Sequence, residues 1–335
     1  MRAFAPWPLR RPASRIGTPA LQTRERKYEP DAHPQFLSCC RRRQRTPVSA
    51  SVAALLVLNG LTLAALLFIM ASGLTLAFGL MRVVNLAHGA FFMLGGYVGI
   101  AAFERTGSLL AGIAAGAAAA MLAGLVLERF LLARVRGLEL SEALLTIAVG
   151  MVIGDLLLGV FGGNPRSLAV PPDLRIRVDL GFGAYPLFRL LILAGALVLG
   201  AGMGLVLGRT RLGAAIRAGV DDRETAESQG IHVGRLFALV FCFASALAGI
   251  AGVVGASFMS LAPDTGVRVL MLSLVVVIIG GLGSLAGAAV GALATGLITS
   301  FANAFVPQFA LFFLFAPLAL VLALRPQGLF GRRAA

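Results

Sequence analysis

Residues 209–235 read RTRLGAAIRAGVDDRETAESQGIHVGR and interrupt an otherwise apolar chain. This stretch contains five arginines and four acids. The apolar runs on either side, 187–208 and 236–259, are each long enough to cross the hydrocarbon core of a bilayer, which needs about 20 residues of helix. A connection between two spans does not require so long or so charged a loop. We therefore expect 209–235 to be a docking element on the cytoplasmic face of a membrane protein.

The composition of the whole chain supports a membrane protein. Hydrophobic residues make up 58% and charged residues 13% of the 335 positions, whereas soluble domains carry about 25% charged residues. Long apolar runs recur along the chain and are continuous, whereas the strands of a β-barrel alternate over about ten residues. The composition predicts an all-α polytopic integral membrane protein.

The apolar runs predict eight or nine transmembrane helices. The count depends on whether the glycines near Gly283 end one helix and begin another. The candidate spans are 52–80, 83–103, 109–133, 143–161, 187–208, 236–259, 267–282, 285–304 and 308–324.

The distribution of arginine predicts the orientation. With 209–235 in the cytoplasm, the inside loops and the C-terminus hold 12 of the 18 arginines that follow residue 47, as the positive-inside rule requires. The loop 162–186 then lies outside and is large enough to meet an extracytoplasmic partner. Together these segments form a transmembrane domain over 48–331.

Residues 1–47 do not fit this topology. They are rich in Pro, Arg and Ser without an apolar period, which predicts disorder, and their 11 basic residues would lie on the outer face. Three explanations remain open: the segment 83–103 is re-entrant, the tail overrides the rule, or the tail is absent from the mature protein. We favour the third, because the tail resembles nothing that follows it.

Several functional classes lack their motifs. Lys27 is the only lysine, so the chain has no P-loop, which places a lysine beside the phosphates. H-E-x-x-H, C-x-x-C and G-x-S-x-G are also missing from the sequence. We therefore predict no catalytic residues, no metal site and no cofactor. The basic excess lies partly in the tail and partly in cytoplasmic loops, so we expect no nucleic-acid partner.

The charged stretch contains the signature of a short capped helix. Asp221 can accept a backbone N–H at the helix start, and Glu224 follows three residues later, as in a capping box. Gly230 suits the left-handed position after the helix end, and Ile231 the apolar contact beyond it. Residues 212–220 before it have amphipathic helical spacing. A plain surface connector is the alternative interpretation.

Polar residues also interrupt the second apolar segment. Asn85 and His88 stand among apolar residues and are followed by Gly89. Polar groups at membrane depth cost free energy unless they face protein or a water-filled path. Asn85, His88 and Gly89 are therefore candidates for a substrate pathway or gate. In the alternative interpretation, His88 only donates a hydrogen bond to a neighbouring helix.

Six ordered blocks of this sequence resemble the branched-chain amino acid permeases of ATP-binding-cassette (ABC) transporters. The N-x-A-H-G form in the first block is typical of the LivH type. Glu224-Thr225-Ala226 followed by Gly230 is similar to the E-A-A-x-x-x-G loop of ABC importers, with Thr225 in place of alanine. The blocks are 73–97, 210–218, 226–235, 246–253, 280–288 and 324–331.

The resemblance implies an importer working by alternating access at the bacterial inner membrane. Its partners would be a second permease of the LivM type, two cytoplasmic ATPase subunits and an extracytoplasmic solute-binding protein, besides membrane lipid. It also implies that Asp221, Glu224, Ala226 and Gly230 contact the ATPase. Related permeases carry urea, amides or other small solutes, so the substrate stays open.

Two other functional classes compete with this interpretation. An ion-coupled secondary transporter needs acids within the membrane, and Asp155 is the clearest candidate. A membrane-embedded enzyme needs a nucleophile with a base or a set of metal ligands, and the sequence offers neither.

Overall fold

The computed structural model describes residues 50–81, 85–181 and 183–331. The predictions for the tail 1–47 lie outside these residues. The helices are α1 Ala50–Met81, α2 His88–Thr106, α3 Leu109–Val126, α4 Ala133–Val135, α5 Glu139–Phe161, α6 Leu187–Arg209, α7 Arg211–Asp221, α8 Arg223–Ser228, α9 Val233–Ala256, α10 Thr265–Gly280, α11 Leu285–Phe305 and α12 Ala310–Leu324. A π-helical segment, Leu127–Leu132, joins α3 to α4, and 3₁₀ turns occupy Pro172–Leu174 and Pro307–Phe309.

The predicted fold class is confirmed, because each of the nine candidate spans contains a helix. Seven helical segments in the described part of the chain are long and apolar enough to cross a membrane. The apolar helix α10 is shorter, at 16 residues, and α2 begins with His88 and ends with the polar residues Glu104, Arg105 and Thr106. The break near Gly283 exists: Gly283 has φ +80° in the turn that separates α10 from α11.

Helix α9 lies at the centre of the bundle and packs against α1, α2 and α3. These helices approach closely where glycines face each other. A methyl group on Gly116 of α3 would lie 2.5 Å from the carbonyl oxygen of Gly95 in α2, and one on Gly249 of α9 would lie 2.5 Å from that of Gly116. Such contacts, allowed only by residues without a side chain, supply the van der Waals packing that holds membrane helices together.

The loop 162–186 contains a small hairpin that is fastened to α1. Strands β1 (Arg177–Asp179) and β2 (Ala184–Pro186) pair antiparallel, with Val178 opposite Tyr185. The buried hydroxyl of Tyr185 lies 2.8 Å from Thr62 Oγ1 and 3.0 Å from the carbonyl oxygen of Leu58, both in α1. The hairpin is therefore held in place against the bundle.

Candidate functional site

The charged stretch forms two short helices between α6 and α9. The side chain of Thr210 accepts a hydrogen bond from the backbone N–H of Gly213 (3.2 Å) and so caps α7. On one side of α7, Ile216 is buried against the first turns of α9. The predicted amphipathic helix over 212–220 is confirmed.

The predicted capping residue of the second helix was wrong by one position. Asp221 is the last residue of α7, and Asp222, with an extended backbone (φ −150°), is the N-cap of α8. The Asp222 carboxylate accepts a hydrogen bond from the backbone N–H of Thr225 (3.1 Å) and another from the Thr225 hydroxyl. Thr225 therefore takes the place in the capping arrangement that Glu224 was expected to hold.

These hydrogen bonds also affect the ionisation of Asp222. The Thr225 hydroxyl and backbone N–H stabilise the charged carboxylate and hold the pKa of Asp222 below its ordinary value. The carboxylate is therefore ionised at neutral pH and available as a cap.

The end of α8 has the predicted geometry. Gly230 has φ +84°, a conformation that favours glycine. The backbone N–H of Ile231 donates to the Ala226 carbonyl (3.1 Å), and that of Gly230 to the Glu227 carbonyl (3.0 Å). This pair of bonds is the Schellman arrangement. Ile231 packs on the same apolar residues as Ala226, which completes the helix stop.

A cluster of six buried apolar residues seats both helices on α9, and we name it the loop-base cluster. Ala226 belongs to it and is only 3% exposed, so its side chain anchors α8. Glu224 and Gly230 are exposed and form the surface that a partner could touch. The side chain of Asp221 lies outside the described residues. The cluster consists of Ile216, Ala226, Val233, Leu236, Phe237 and Val240.

The second candidate site lies where α2 begins. His88 is fully buried, and its Nε2 lies 3.2 Å from the carbonyl oxygen of Met70 in α1. A carbonyl oxygen only accepts, so this contact assigns the proton to Nε2. Nδ1 of His88 has no hydrogen-bond partner among the described residues. His88 thus makes the helix-to-helix bond of the alternative interpretation and retains one unused acceptor.

Asn85 and Gly89 lie beside His88 but contact other groups. Asn85 precedes α2 and so is not part of the helix that His88 begins. Its Oδ1 accepts a hydrogen bond from the backbone N–H of Ala87 (3.0 Å). A methyl group on Gly89 would lie 2.5 Å from the carbonyl oxygen of Gly266, where α2 meets α10. The three residues thus stand where helices join, and their part in a pathway stays a prediction.

The intramembrane acids differ from expectation. Asp155, the candidate for ion coupling, is exposed on α5. Glu128, within the predicted span 109–133, is buried and forms an ion pair with Arg136. Sequence reasoning missed Glu128, although an acid inside an apolar span was a signal for it.

Comparison with known proteins identifies the family. Residues 56–322 match the family described as "Branched-chain amino acid transport system / permease component". The chain belongs to this family. The permease is accordingly a multi-pass membrane protein, in keeping with its seven long apolar helices.

Curated relatives of the permease carry matching names. It is 28% identical over 292 residues to the high-affinity branched-chain amino acid transport system permease protein BraD of Pseudomonas aeruginosa, covering 82% of this chain and 95% of BraD. It is 29% identical over 290 residues to LivH of Escherichia coli K12, a permease protein with the same description, covering 82% and 94%. No solved structure matches the chain.

Proposed function

We propose that this protein is the permease subunit of an ABC importer that moves branched-chain amino acids across the bacterial inner membrane by alternating access. The observation that carries the proposal is the α7–α8 loop, two capped helices that expose Glu224 and Gly230 and rest on α9 through the loop-base cluster. The names of the relatives supply the substrate class.

The construction of the loop suits a docking element. Its helix ends are closed by local hydrogen bonds at Asp222 and Gly230, so the exposed surface keeps its shape without a partner. Its base is apolar and rests on α9, which itself packs on three other helices. A force applied to α8 by a cytoplasmic ATPase would therefore reach the centre of the bundle. ATP hydrolysis belongs to that separate subunit in this proposal.

Three further partners complete the proposed transporter. A second permease of the LivM type would pair with this chain, and a second ATPase would serve it. An extracytoplasmic solute-binding protein would deliver substrate to the outer face. The hairpin in 162–186 suits that last contact, because Tyr185 fastens it to α1.

Reconstitution of the complete transporter in vesicles tests the proposal. The chain is co-expressed with the neighbouring permease, ATPase and binding-protein genes, and uptake of leucine, urea and acetamide is measured with and without ATP. ATP-dependent uptake of leucine is expected. Uptake of urea or acetamide but not leucine would show that the substrate is not a branched-chain amino acid. Uptake that is driven by an ion gradient without ATP would refute the proposal of an ABC importer.

Charge reversal at the exposed face of α8 tests the docking assignment. Glu224→Arg is expected to lower uptake at least tenfold and to reduce co-purification of the ATPase, while the permease still inserts. Glu104→Arg is the control, because Glu104 is also an exposed acid on a helix but lies at the end of α2, which packs beside the end of α9 that is far from the loop. Normal uptake and ATPase binding by Glu224→Arg would remove the docking assignment.

A further inference from the structure

An ion pair lies beneath the start of α9, at the connection between α4 and α5. Glu128 stands in the π-helical segment that follows α3, and Arg136 directly follows α4. The Arg136 guanidinium donates to Glu128 Oε1. Glu128 is 1% exposed, and the side chain of Arg136 is 22% exposed. The pair is thus largely withdrawn from water.

The same arginine touches the element that carries the α7–α8 loop. Its guanidinium carbon lies 5.0 Å from the centre of the Phe237 ring, a cation–π distance. Phe237 is a member of the loop-base cluster, so one ring contacts both Arg136 and the residues beneath α7 and α8. Arg136 also passes Gly234 in the first turn of α9, where an added methyl group would lie 3.6 Å from Nη1.

The other side of the connection is tied to α5. The backbone N–H of Gly137 donates to Oε1 of Glu142, which is buried in the first turn of α5 (2.6 Å). The short connection 136–138 is therefore held by Glu128 from the π-helical segment after α3, by Glu142 from α5 and by Phe237 from α9. Arg136 makes the first and third of these contacts, and its neighbour Gly137 makes the second.

The pair is not built for maximal stability. Glu128 Oε2 and Arg136 Nε are buried without hydrogen-bond partners among the described residues. A buried ion pair recovers its desolvation cost only when its remaining hydrogen-bonding groups are satisfied. Glu128 also lies in a π-helix, a distortion that is often found at functional positions. Both features favour an arrangement that changes during a reaction cycle over one that only holds the fold.

We propose that the Glu128–Arg136 ion pair is a positioning element that links movement of the α7–α8 loop to α3 and α5. The inference rests on the proposed function, since it assumes that an ATPase moves that loop. When the loop shifts, Phe237 shifts with it, and Arg136 carries the displacement to Glu128 and to the start of α5. In this proposal neither residue contacts substrate or ATP; both act through the helices that they join.

Neutralisation of the acid tests the link in the complete reconstituted transporter. Glu128→Gln is nearly isosteric and leaves Arg136 without its carboxylate. We expect the variant to insert and to bind the ATPase, and the number of solute molecules moved per ATP hydrolysed to fall at least tenfold. The KM for solute is expected to change less than twofold, because the pair acts on movement and not on binding.

A second variant separates positioning from stability. Glu128→Gln combined with Arg136→Met removes both charges, which relieves any instability left by one unpaired ion. If the pair positions the helices, this variant is thermally stable but remains uncoupled. If it recovers wild-type transport per ATP together with its stability, the role is structural and the proposal is overturned. Should Glu128→Gln fail to insert, the double variant alone decides.

An exposed ion pair supplies the control. Asp264 and Arg268 form an i,i+4 pair with side chains 67% and 65% exposed, and such pairs contribute little. Asp264→Asn is expected to leave transport per ATP unchanged. If the wild-type transporter is active and the Glu128→Gln transporter moves as many solute molecules per ATP, this inference alone is refuted. A wild-type complex without ATP-dependent uptake refutes the proposed function instead.

Discussion

Helices α6 and α9 flank the same charged loop and have similar compositions, but they occupy different environments. Both are apolar, of nearly equal length and rich in glycine. Yet in an apolar stretch of 18 residues taken from each helix, 61% of the stretch is buried inside the protein in α9, against 17% in α6. Apolar composition therefore predicts that a helix enters the membrane. It does not predict whether that helix packs against other helices of the same chain or faces away from them.

The glycines of the two helices show what differs. A methyl group on Gly252 of α9 would overlap the carbonyl oxygen of Phe92 in α2, whereas one on Gly204 of α6 would meet no atom of the described chain within 4 Å. Small residues matter where two backbones touch. On the open face of α6 they meet no neighbouring backbone among the described residues.

The largest expected effect comes from filling these two positions with the same side chain. Gly252→Leu would force α9 away from α2, and we expect it to abolish recovery of folded, monodisperse protein from membranes. Gly204→Leu, the matched control, is expected to retain wild-type yield and unfolding temperature within about 2 °C, since surface changes cost within about 0.5 kcal/mol. Fluorescence-detected size exclusion measures the yield of each variant, and the same measurement after heating gives its unfolding temperature. Equal yields for the two variants would break the distinction between the helices.

An intermediate effect is expected at His88, on the packed side of the bundle. His88→Ala removes the bond to the Met70 carbonyl and leaves a void, so we expect a loss of about 1–3 kcal/mol in stability and reduced uptake, with the ATPase still bound. His88→Gln can donate to the same carbonyl and is expected to recover most of the stability. If glutamine also restores uptake, transport does not require an imidazole ring at this position, since the glutamine amide supplies both a donor and an acceptor.

Thermal unfolding in detergent and vesicle uptake measure the two parts of this prediction separately. Asp155→Asn is the control for the position of the substitution, because Asp155 is exposed on α5 whereas His88 is buried. We expect it to leave the unfolding temperature unchanged. If Asp155→Asn lowered the unfolding temperature as much as His88→Ala does, the exposure of a side chain in this structure would not predict how much its substitution destabilises the protein.

The smallest effect concerns the loop that joins α6 to α9. Because hydrogen bonds lower the folded-state pKa of Asp222, its cap stabilises α8 fully above the unfolded Asp pKa of about 3.9 and is lost as pH falls through the lower folded value. We expect the amide of Thr225 to lose its protection from hydrogen exchange over that acidic range. Asp222→Asn keeps an acceptor and is expected to remove the pH dependence. Unchanged pH dependence in this variant would assign the effect to another group.

Much of the fold could be predicted because its signals are local. The apolar runs located the long helices, Gly283 marked the break before α11, and Gly230 with Ile231 marked the end of α8. Each of these signals depends on residues that are close together in the sequence. The cap at Asp222 was missed because two adjacent aspartates offer the same chemistry, and the backbone that leaves α7 decides between them.

The candidate sites could be predicted only in part. Glu224 and Gly230 are exposed as a docking surface requires, but Ala226 of the same motif is buried in the loop-base cluster. Glu128 was passed over, and its arginine could not be assigned from the sequence. The π-helical segment brings Arg136 back to it, eight residues along the chain.

The sequence by itself determined that this chain is a membrane protein, where its long helices run and which loop carries the motif that resembles the docking loop of ABC importers, because hydropathy and helix capping depend on residues that are close together in the sequence. Only the tertiary structure decided that α9 is central and α6 peripheral, that Ala226 faces inward, and that Arg136 meets Phe237. The physical reason is that these contacts join backbones and side chains far apart along the chain. Nearly every membrane helix offers the same apolar surface, so only the approach of particular glycines and charges selects its neighbours.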